Sequence, residues 1–166
     1  LSSSSAASDV YKRQDLLLEE GAVELPEGEF NAAFNPEAVV KVTDVLLASH
    51  ENTAQIIDAR PAARFNAEVD EPRPGLRRGH IPGALNVPWT ELVREGELKT
   101  TDELDAIFFG RGVSYDKPII VSCGSGVTAA VVLLALATLD VPNVKLYDGA
   151  WSEWGARADL PVEPVK

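Results

Sequence analysis

The only cysteine of the chain lies in a short glycine-rich loop that follows an apolar, β-branched run. The loop reads CGSGVT from Cys123 to Thr128 and leads into an alanine-rich segment of helical length. Glycine lets the backbone curl without a Cβ penalty, so successive N–H groups can point towards the sulfur. Such groups and a helix N-terminus lower the pKa of a cysteine from about 8.5 and make the nucleophilic thiolate available. The pattern therefore predicts an anion-binding loop around a reactive sulfur.

A competing interpretation makes Cys123 a small buried hydrophobic residue at the end of a strand. The flanking glycines favour the reactive thiol, because core packing does not require such close backbone approach. A single cysteine forms no intrachain disulfide, which favours a reducing compartment and predicts a cytoplasmic location. Two histidines and one cysteine at unrelated spacings give no zinc motif, so we expect no metal and no cofactor.

The chain is acidic, with a formal net charge of −11 from 15 basic and 26 acidic residues. This charge argues against nucleic acid or an anionic membrane as a partner, since both require a basic surface. The longest apolar run, Val127 to Leu139, is also too short to span a bilayer. An anionic substrate would therefore need a local group of arginines.

Such a group occurs between Arg60 and Arg78, where five of the fifteen basic residues fall. For Arg77 and Arg78 we expect a solvated face with salt bridges to nearby acidic residues, namely Glu68, Asp70 and Glu71. For Arg64 and Arg73 the residues alone leave a surface role and a binding role equally open. We expect His80, in a glycine-proline turn, to brace that turn.

Helix and strand patterns alternate along the chain and predict an α/β fold, with a central, mostly parallel sheet and helices on both faces. The predicted helices are Asn35–His50, with Pro36 in its first turn, then Pro61–Glu68, Thr101–Phe109 and the segment after the cysteine loop. The predicted strands are Gln55–Asp58, Leu85–Pro88, the run ending before Cys123, and Val144–Tyr147. Catalytic loops of such folds lie at the carboxyl ends of strands, where Asp58 and Cys123 both fall.

The length of 166 residues supports one core. We assign it to residues 35–166. Residues 15–34 are acidic and turn-rich, which predicts an arm or an interdomain linker. Residues 1–14 differ in composition from the rest, and we interpret them as a non-native linker or adaptor-derived segment.

Six short motifs occur in order with natural spacing: DAR at 58–60, RF at 64–65, EPRPG at 71–75, GHIPGALNVP at 79–88, CGSGVTA at 123–129 and YDGAWSEW at 147–154. Together they resemble the rhodanese family of sulfurtransferases. The resemblance implies a rhodanese-like domain that carries a sulfane sulfur as a persulfide on Cys123. Thiosulfate-type members usually have basic residues in the loop, whereas CGSGVT is similar to the loop of members that act on 3-mercaptopyruvate.

The resemblance also implies roles for individual residues. Arg64 and Arg73 would hold the carboxylate and carbonyl of the donor, for which a planar guanidinium is well suited. Ser125 would donate a hydrogen bond and relay a proton. The other implied site residues are Gly124, Gly126, Val127 and Thr128, whose backbone N–H groups would bind the persulfide, and Asp58 and Arg60, which would brace the loop.

The implied partners are a small-molecule sulfur donor, a thiol acceptor such as thioredoxin, and a preceding rhodanese-like repeat that this chain lacks. Thiosulfate sulfurtransferase is the nearest alternative activity. A phosphatase of this fold would need an arginine six residues after the cysteine, where Ala129 stands. A non-catalytic protein-binding module is a third alternative, and the retained Cys123, Arg64 and Arg73 argue against it.

Overall fold

The structure, a computed structural model, describes residues 28–29 and 31–164. The chain divides between Ala33 and Phe34, and all the helices and strands given below lie after that boundary. The assignment of residues 1–14 and most of the predicted arm at 15–34 lie outside the described residues.

Within the described residues, five parallel strands form the central sheet, in the spatial order β1-β7-β6-β2-β3. Their bounds are Val39–Val40 (β1), Gln55–Asp58 (β2), Leu85–Asn86 (β3), Ile119–Ser122 (β6) and Val144–Tyr147 (β7). A separate antiparallel hairpin consists of Val93–Arg94 (β4) and Glu97–Leu98 (β5). Asp58 pairs with Ser122, so the segments that follow β2 and β6 leave the sheet side by side. The predicted parallel sheet is confirmed.

In the described residues, four α-helices connect the strands and a fifth follows β7: Val42–Glu51 (α1), Ala62–Phe65 (α2), Thr101–Gly110 (α3), Ala129–Thr138 (α4) and Ala150–Trp154 (α5). Short 3₁₀ helices occupy Pro36–Ala38 and Trp89–Glu91. At the start of α3, Thr100 and Glu103 form a capping box, in which each accepts a hydrogen bond from the backbone N–H of the other. Among the described residues, no helix combines the length and the apolar character needed to cross a membrane.

Successive side chains of each strand lie on opposite faces of the sheet and pack into two hydrophobic clusters. Ile119 and Val121 belong to one cluster, together with residues of α3 and α4 such as Phe108 and Leu136. Ile120 belongs to the other cluster, whose members from α1 and α5 are Val45, Ala48, Trp151 and Trp154. The helices therefore cover both faces of the sheet, as the sequence predicted, and burial of each large apolar side chain contributes about 1.5–3 kcal/mol.

The prediction of one helix over Asn35–His50 is wrong. The Asn35 side chain accepts a hydrogen bond from Glu37 N–H, 3.1 Å, and starts only the short 3₁₀ helix. The β-branched pair Val39–Val40 then pairs with β7 at the edge of the sheet. The α-helix begins afterwards, where the Asp44 carboxylate accepts a hydrogen bond from Lys41 N–H, 2.9 Å. Pairing with β7 therefore outweighs the local helix propensity of these two valines.

Candidate active site

The loop from Cys123 to Thr128 connects β6 to α4, and the first turn of α5 fixes its backbone. Trp151 N–H donates to the Cys123 carbonyl, 2.9 Å, and Ser152 N–H donates to the Gly124 carbonyl, 3.0 Å. In a trans peptide the carbonyl and the following N–H point in opposite directions. The two hydrogen bonds therefore turn the N–H groups of Gly124 and Ser125 away from α5.

The N–H groups of the loop are available for a ligand. In the part of the chain that the structure describes, none of the N–H groups of residues 124–128 donates a hydrogen bond to a protein acceptor. Unpaired backbone donors are rare in folded proteins unless water or a ligand binds them. The ten-residue helix α4 starts directly behind the loop and adds the positive end of its dipole. This arrangement suits a bound anion.

Cys123 is a buried residue at the start of the loop. Its surface is 2% exposed, and its side chain belongs to the cluster that contains Val121 and Val132. It is a free thiol that directly precedes Gly124, the first loop residue to line a cleft. The role of Cys123 as the nucleophile stays a prediction.

The cleft has a volume of about 190 Å³ and brings together residues from two separate stretches of the chain. Its lining consists of Arg64, Glu71, Pro72, Arg73, Leu76, Gly124, Ser125 and Thr128. Five residues of the predicted site, two of them arginines, thus share one surface. No group of three His, Cys, Asp or Glu side chains that could hold a metal ion occurs within residues 28–29 and 31–164.

Two predicted binding residues, Gly126 and Val127, are not part of the cleft lining. Gly126 is buried with a φ of +84°, and a Cβ there would lie 2.6 Å from Asp148 Oδ1. Only glycine fits this position without strain. The Val127 side chain is 73% exposed. The predicted contribution of both residues, through their backbone N–H groups, stays a prediction.

Arg64 lies directly on the loop. A Cβ at Gly124 would be 2.8 Å from Arg64 Nη2, so glycine is what allows the guanidinium to approach the backbone this closely. Arg64 Nε donates to Glu71 Oε1, 3.2 Å, and Nη2 forms an ion pair with Glu71 Oε2. The Arg64 side chain keeps 22% of its surface exposed in the cleft.

Arg73 reaches the loop through a residue that sequence reasoning missed, Ser152. Arg73 Nη1 donates to Ser152 Oγ, 3.0 Å, and the Ser152 hydroxyl donates to the Gly124 carbonyl, 2.6 Å. A signal was present, because Ser152 lies in the segment after the strand Val144–Tyr147. That strand neighbours β6, so the two following segments meet at the same edge of the sheet.

Arg60 lies beneath the cleft, fully buried. Its guanidinium donates to both Asp58 oxygens, to Glu71 Oε1, 2.9 Å, and to the Gly79 carbonyl, 2.8 Å. It also lies over the Trp151 ring, 4.3 Å from the ring centre. These contacts link the end of β2 to the segment that bears Glu71 and to α5. The bracing role of Asp58 and Arg60 stays a prediction, which these contacts support.

The expectation for Glu71 is wrong. We expected it on a solvated face as a partner of Arg77 or Arg78, but it is 8% exposed and pairs with Arg60 and Arg64. A buried carboxylate requires charged partners, and two guanidinium groups supply them.

The expectation for Arg78 is confirmed, since it forms an exposed ion pair with Asp70, 2.6 Å. The expectation for Arg77 is wrong, because its guanidinium donates to backbone carbonyls rather than to carboxylates. The acceptors are Trp154 at 3.0 Å, Gly155 at 3.2 Å, Leu160 at 2.8 Å and Arg157 at 2.5 Å. Carbonyls at and beyond a helix end have no partner within the helix, and Arg77 satisfies them.

His80 braces its turn, as predicted. Its Nδ1 lies 2.7 Å from the Phe65 carbonyl oxygen, and its ring stacks on the Phe65 ring with centres 3.7 Å apart. The backbone of His80 also forms a bridge with Glu163.

Comparisons with known proteins agree with this geometry. The model of the rhodanese-like domain family matches residues 41–157. The chain is 98% identical over 156 residues to a 3-mercaptopyruvate sulfurtransferase of Escherichia coli K12, covering 94% of this chain and 56% of that protein. It is 40% identical over 138 residues to the mitochondrial thiosulfate/3-mercaptopyruvate sulfurtransferase 1 of Arabidopsis thaliana, covering 82% of this chain and 36% of that protein.

A solved structure shows the same family resemblance. The crystal structure of SseA from Escherichia coli, a 3-mercaptopyruvate sulfotransferase with the rhodanese fold, matches this chain with a TM-score of 0.72 and 95% identity. The match covers 86% of this chain and 53% of that one. The chain thus spans about half the length of the E. coli relatives it matches. With its parallel sheet, its cysteine loop and the family match over residues 41–157, the chain belongs to the rhodanese family.

Proposed function

We propose that this chain is a sulfurtransferase that moves a sulfane sulfur from 3-mercaptopyruvate to a thiol acceptor or to cyanide and releases pyruvate. One observation carries the proposal. A single cleft brings two arginines, Arg64 and Arg73, to a loop of unpaired N–H groups that starts at the only cysteine. The arginines suit the carboxylate of the donor, and the loop suits a sulfur anion. The 98% identity to the E. coli enzyme supports the same reaction.

In the first step, the Cys123 thiolate attacks the mercapto sulfur of the donor. A sulfur–sulfur bond forms, the bond between that sulfur and C3 breaks, and its electron pair leaves on C3 as the enolate of pyruvate. The proton of the mercapto group is transferred to the enolate carbon, which yields pyruvate and a Cys123 persulfide anion. Arg64 and Arg73 hold the carboxylate and carbonyl of the donor, and their positive charges stabilise the enolate.

We assign the proton transfer to Ser125, and its position in the cleft lining, two residues after Cys123, supports this role. The N–H groups of residues 124–128 stabilise the negative outer sulfur of the persulfide. In the second step, an acceptor thiolate attacks that outer sulfur, the sulfur–sulfur bond to Cys123 breaks, and the Cys123 thiolate is regenerated. With cyanide as acceptor, the product is thiocyanate.

Thiosulfate is the second candidate donor. The Arabidopsis relative carries both substrates in its name, and two guanidinium groups can also bind a dianion. The loop argues for 3-mercaptopyruvate as the better donor, because Gly124 and Ser125 place no side-chain cation beside the sulfur.

The test is a side-by-side assay of the two donors at equal concentration, with cyanide as acceptor and Cys123→Ser as the blank. We expect a higher kcat/KM for 3-mercaptopyruvate than for thiosulfate. A preference for thiosulfate would select the second candidate. No cysteine-dependent turnover with either donor would overturn the proposed function.

The remaining expectations are parts of the same proposal. We assign residues 35–166 to the sulfurtransferase domain, residues 15–34 to an arm or linker, and residues 1–14 to an adaptor-derived segment. A preceding rhodanese-like repeat and a thiol acceptor such as thioredoxin are the proposed partners. A reducing, cytoplasmic location fits a reaction that needs a free thiol on the enzyme and a second one on the acceptor.

A further inference from the structure

The hydroxyl of Ser152 links the two stretches of chain that line the cleft, one containing Arg73 and the other Gly124. It accepts a hydrogen bond from Arg73 Nη1, 3.0 Å, and donates one to the Gly124 carbonyl, 2.6 Å. In the described part of the chain, this hydroxyl is the only hydrogen-bond partner of the Arg73 guanidinium. A positively charged donor polarises the hydroxyl and strengthens its bond to the carbonyl.

Arg73 needs such a partner more than Arg64 does. Arg64 is held by two contacts to the buried carboxylate of Glu71, whereas Arg73 is exposed. An exposed arginine loses side-chain entropy when it is held in one orientation, so an unrestrained Arg73 would point at the cleft for only part of the time. A fixed hydroxyl that accepts from Nη1 reduces that cost before a ligand binds.

We propose that Ser152 is a positioning residue for the reaction, and this inference rests on the proposed function. Its hydroxyl holds the Arg73 guanidinium at the cleft, where the guanidinium meets the carboxylate of the sulfur donor. Removal of the hydroxyl leaves the loop anchored, because the Ser152 backbone N–H still donates to the Gly124 carbonyl, 3.0 Å. Ser152→Ala therefore weakens carboxylate binding and leaves the nucleophile in place.

Alkylation tests this inference without any sulfur transfer. Cys123 is the only cysteine, so the intact mass of the chain reports the alkylation of that thiol alone. Iodoacetate and iodoacetamide react in the same way, with loss of iodide, but only iodoacetate carries a carboxylate. The ratio of their rate constants measures how strongly the cleft favours a carboxylate at Cys123.

We expect Ser152→Ala to lower the ratio of iodoacetate to iodoacetamide rates by about three- to tenfold, the range for loss of a hydrogen bond to a charged group near the surface. Ser152→Thr keeps the hydroxyl, so its ratio of iodoacetate to iodoacetamide rates should equal that of the unaltered chain. Ser49→Ala is the matched control, since it removes a hydroxyl of similar geometry that donates to the Pro82 carbonyl, 2.7 Å, and contacts no arginine. It leaves the ratio unchanged.

A double-mutant cycle shows whether Ser152 acts through Arg73. If it does, Arg73→Ala lowers the ratio and Ser152→Ala lowers it no further in that background. In turnover assays, Ser152→Ala raises the KM for 3-mercaptopyruvate more than it lowers kcat.

Three outcomes overturn the inference: an unchanged ratio in Ser152→Ala, a further fall in the double variant, and a Cys123 that reacts with neither reagent. If the ratios behave as expected but the unaltered chain transfers no sulfur from either donor, Ser152 still positions Arg73 towards a carboxylate, and it is the proposed function that fails.

Discussion

Arg60 and Arg64 lie four residues apart and share the carboxylate of Glu71, yet the structure places them in different surroundings. Arg60 has no exposed surface, and each of its three guanidinium nitrogens donates to a protein oxygen. Arg64 uses Nε and Nη2 for Glu71, while its side chain keeps 22% of its surface exposed in the cleft. Burial and hydrogen-bond saturation, rather than residue type, therefore separate a structural arginine from one that can meet a ligand.

The same difference in burial distinguishes two regions of the protein, the charged network beneath the cleft and the cleft itself. We expect the buried network of Asp58, Arg60 and Glu71 to stabilise the segment beneath the cleft, so that its loss lowers the free energy of unfolding. The cleft pair, Arg64 and Arg73, faces solvent and should appear mainly in substrate binding. Variants in each region can break or sharpen this distinction.

The largest effect is expected for Arg60→Ala. This variant leaves the buried carboxylate of Asp58 without its guanidinium partner and leaves Glu71 with Arg64 alone, so we expect the free energy of unfolding to fall by about 3–5 kcal/mol. Urea denaturation measures the change. Arg78→Ala is the control, because its pair with Asp70 is exposed and should contribute at most about 1 kcal/mol. Equal losses in the two variants would contradict the distinction between buried and exposed arginines.

The next effect is expected at the cleft. Arg64→Ala or Arg73→Ala removes a charged partner worth about 1.5–3 kcal/mol, so the KM for 3-mercaptopyruvate should rise tenfold or more. Steady-state kinetics measure the change. Arg111→Ala removes an exposed pair with Glu91 and should leave KM as it is. Unchanged kinetics in both cleft variants would remove Arg64 and Arg73 from the site.

A smaller effect is expected when a cation is added to the loop. Ser125→Lys places an ammonium group in the cleft, and the turnover of thiosulfate relative to 3-mercaptopyruvate should rise about two- to fivefold, as for a partly exposed charge pair. Thr43→Lys adds the same charge at an exposed position of α1. If both lysine variants gave the same donor ratio, loop charge would not determine donor choice.

The smallest effect concerns pH. Burial of Tyr147, followed by its hydrogen bond to Glu153, 2.8 Å, raises the pKa of the phenol above its ordinary value. Folding therefore favours the neutral phenol, and its contribution to stability is complete below about pH 10 and is lost as the pH rises further. Tyr147→Phe should flatten the fall in unfolding free energy above that pH. An equally steep fall in the variant would contradict this assignment.

Strong local patterns made much of the fold predictable. Gln55–Asp58 and Val144–Tyr147 were predicted to the residue, because each holds a pair of apolar aliphatic side chains and turn residues lie on either side. The failure at Val39–Val40 has the opposite cause, since a two-residue edge strand exists only through its pairing with β7. The hairpin Val93–Leu98 was not predicted, since each of its strands has only two residues.

The site was predictable where the residues lie within motifs, and less so where it depends on long-range contacts. Cys123, Arg64 and Arg73 could be selected from the motifs alone. Ser152 also lies within a motif, YDGAWSEW, but its role was not predicted, because its partners Gly124 and Arg73 lie 28 and 79 residues away along the chain. The prediction for Arg77 was wrong for the same reason, since all four of its carbonyl acceptors lie 77 to 83 residues away.

The most direct test of the proposed reaction is the intact mass of the chain after exposure to 3-mercaptopyruvate and removal of excess donor. Since the chain has one cysteine, any persulfide must form there. We predict a gain of one sulfur atom that cyanide or a thiol removes, and no gain in Cys123→Ser. No added sulfur on the unaltered chain, or the same gain in Cys123→Ser, would contradict a persulfide at Cys123.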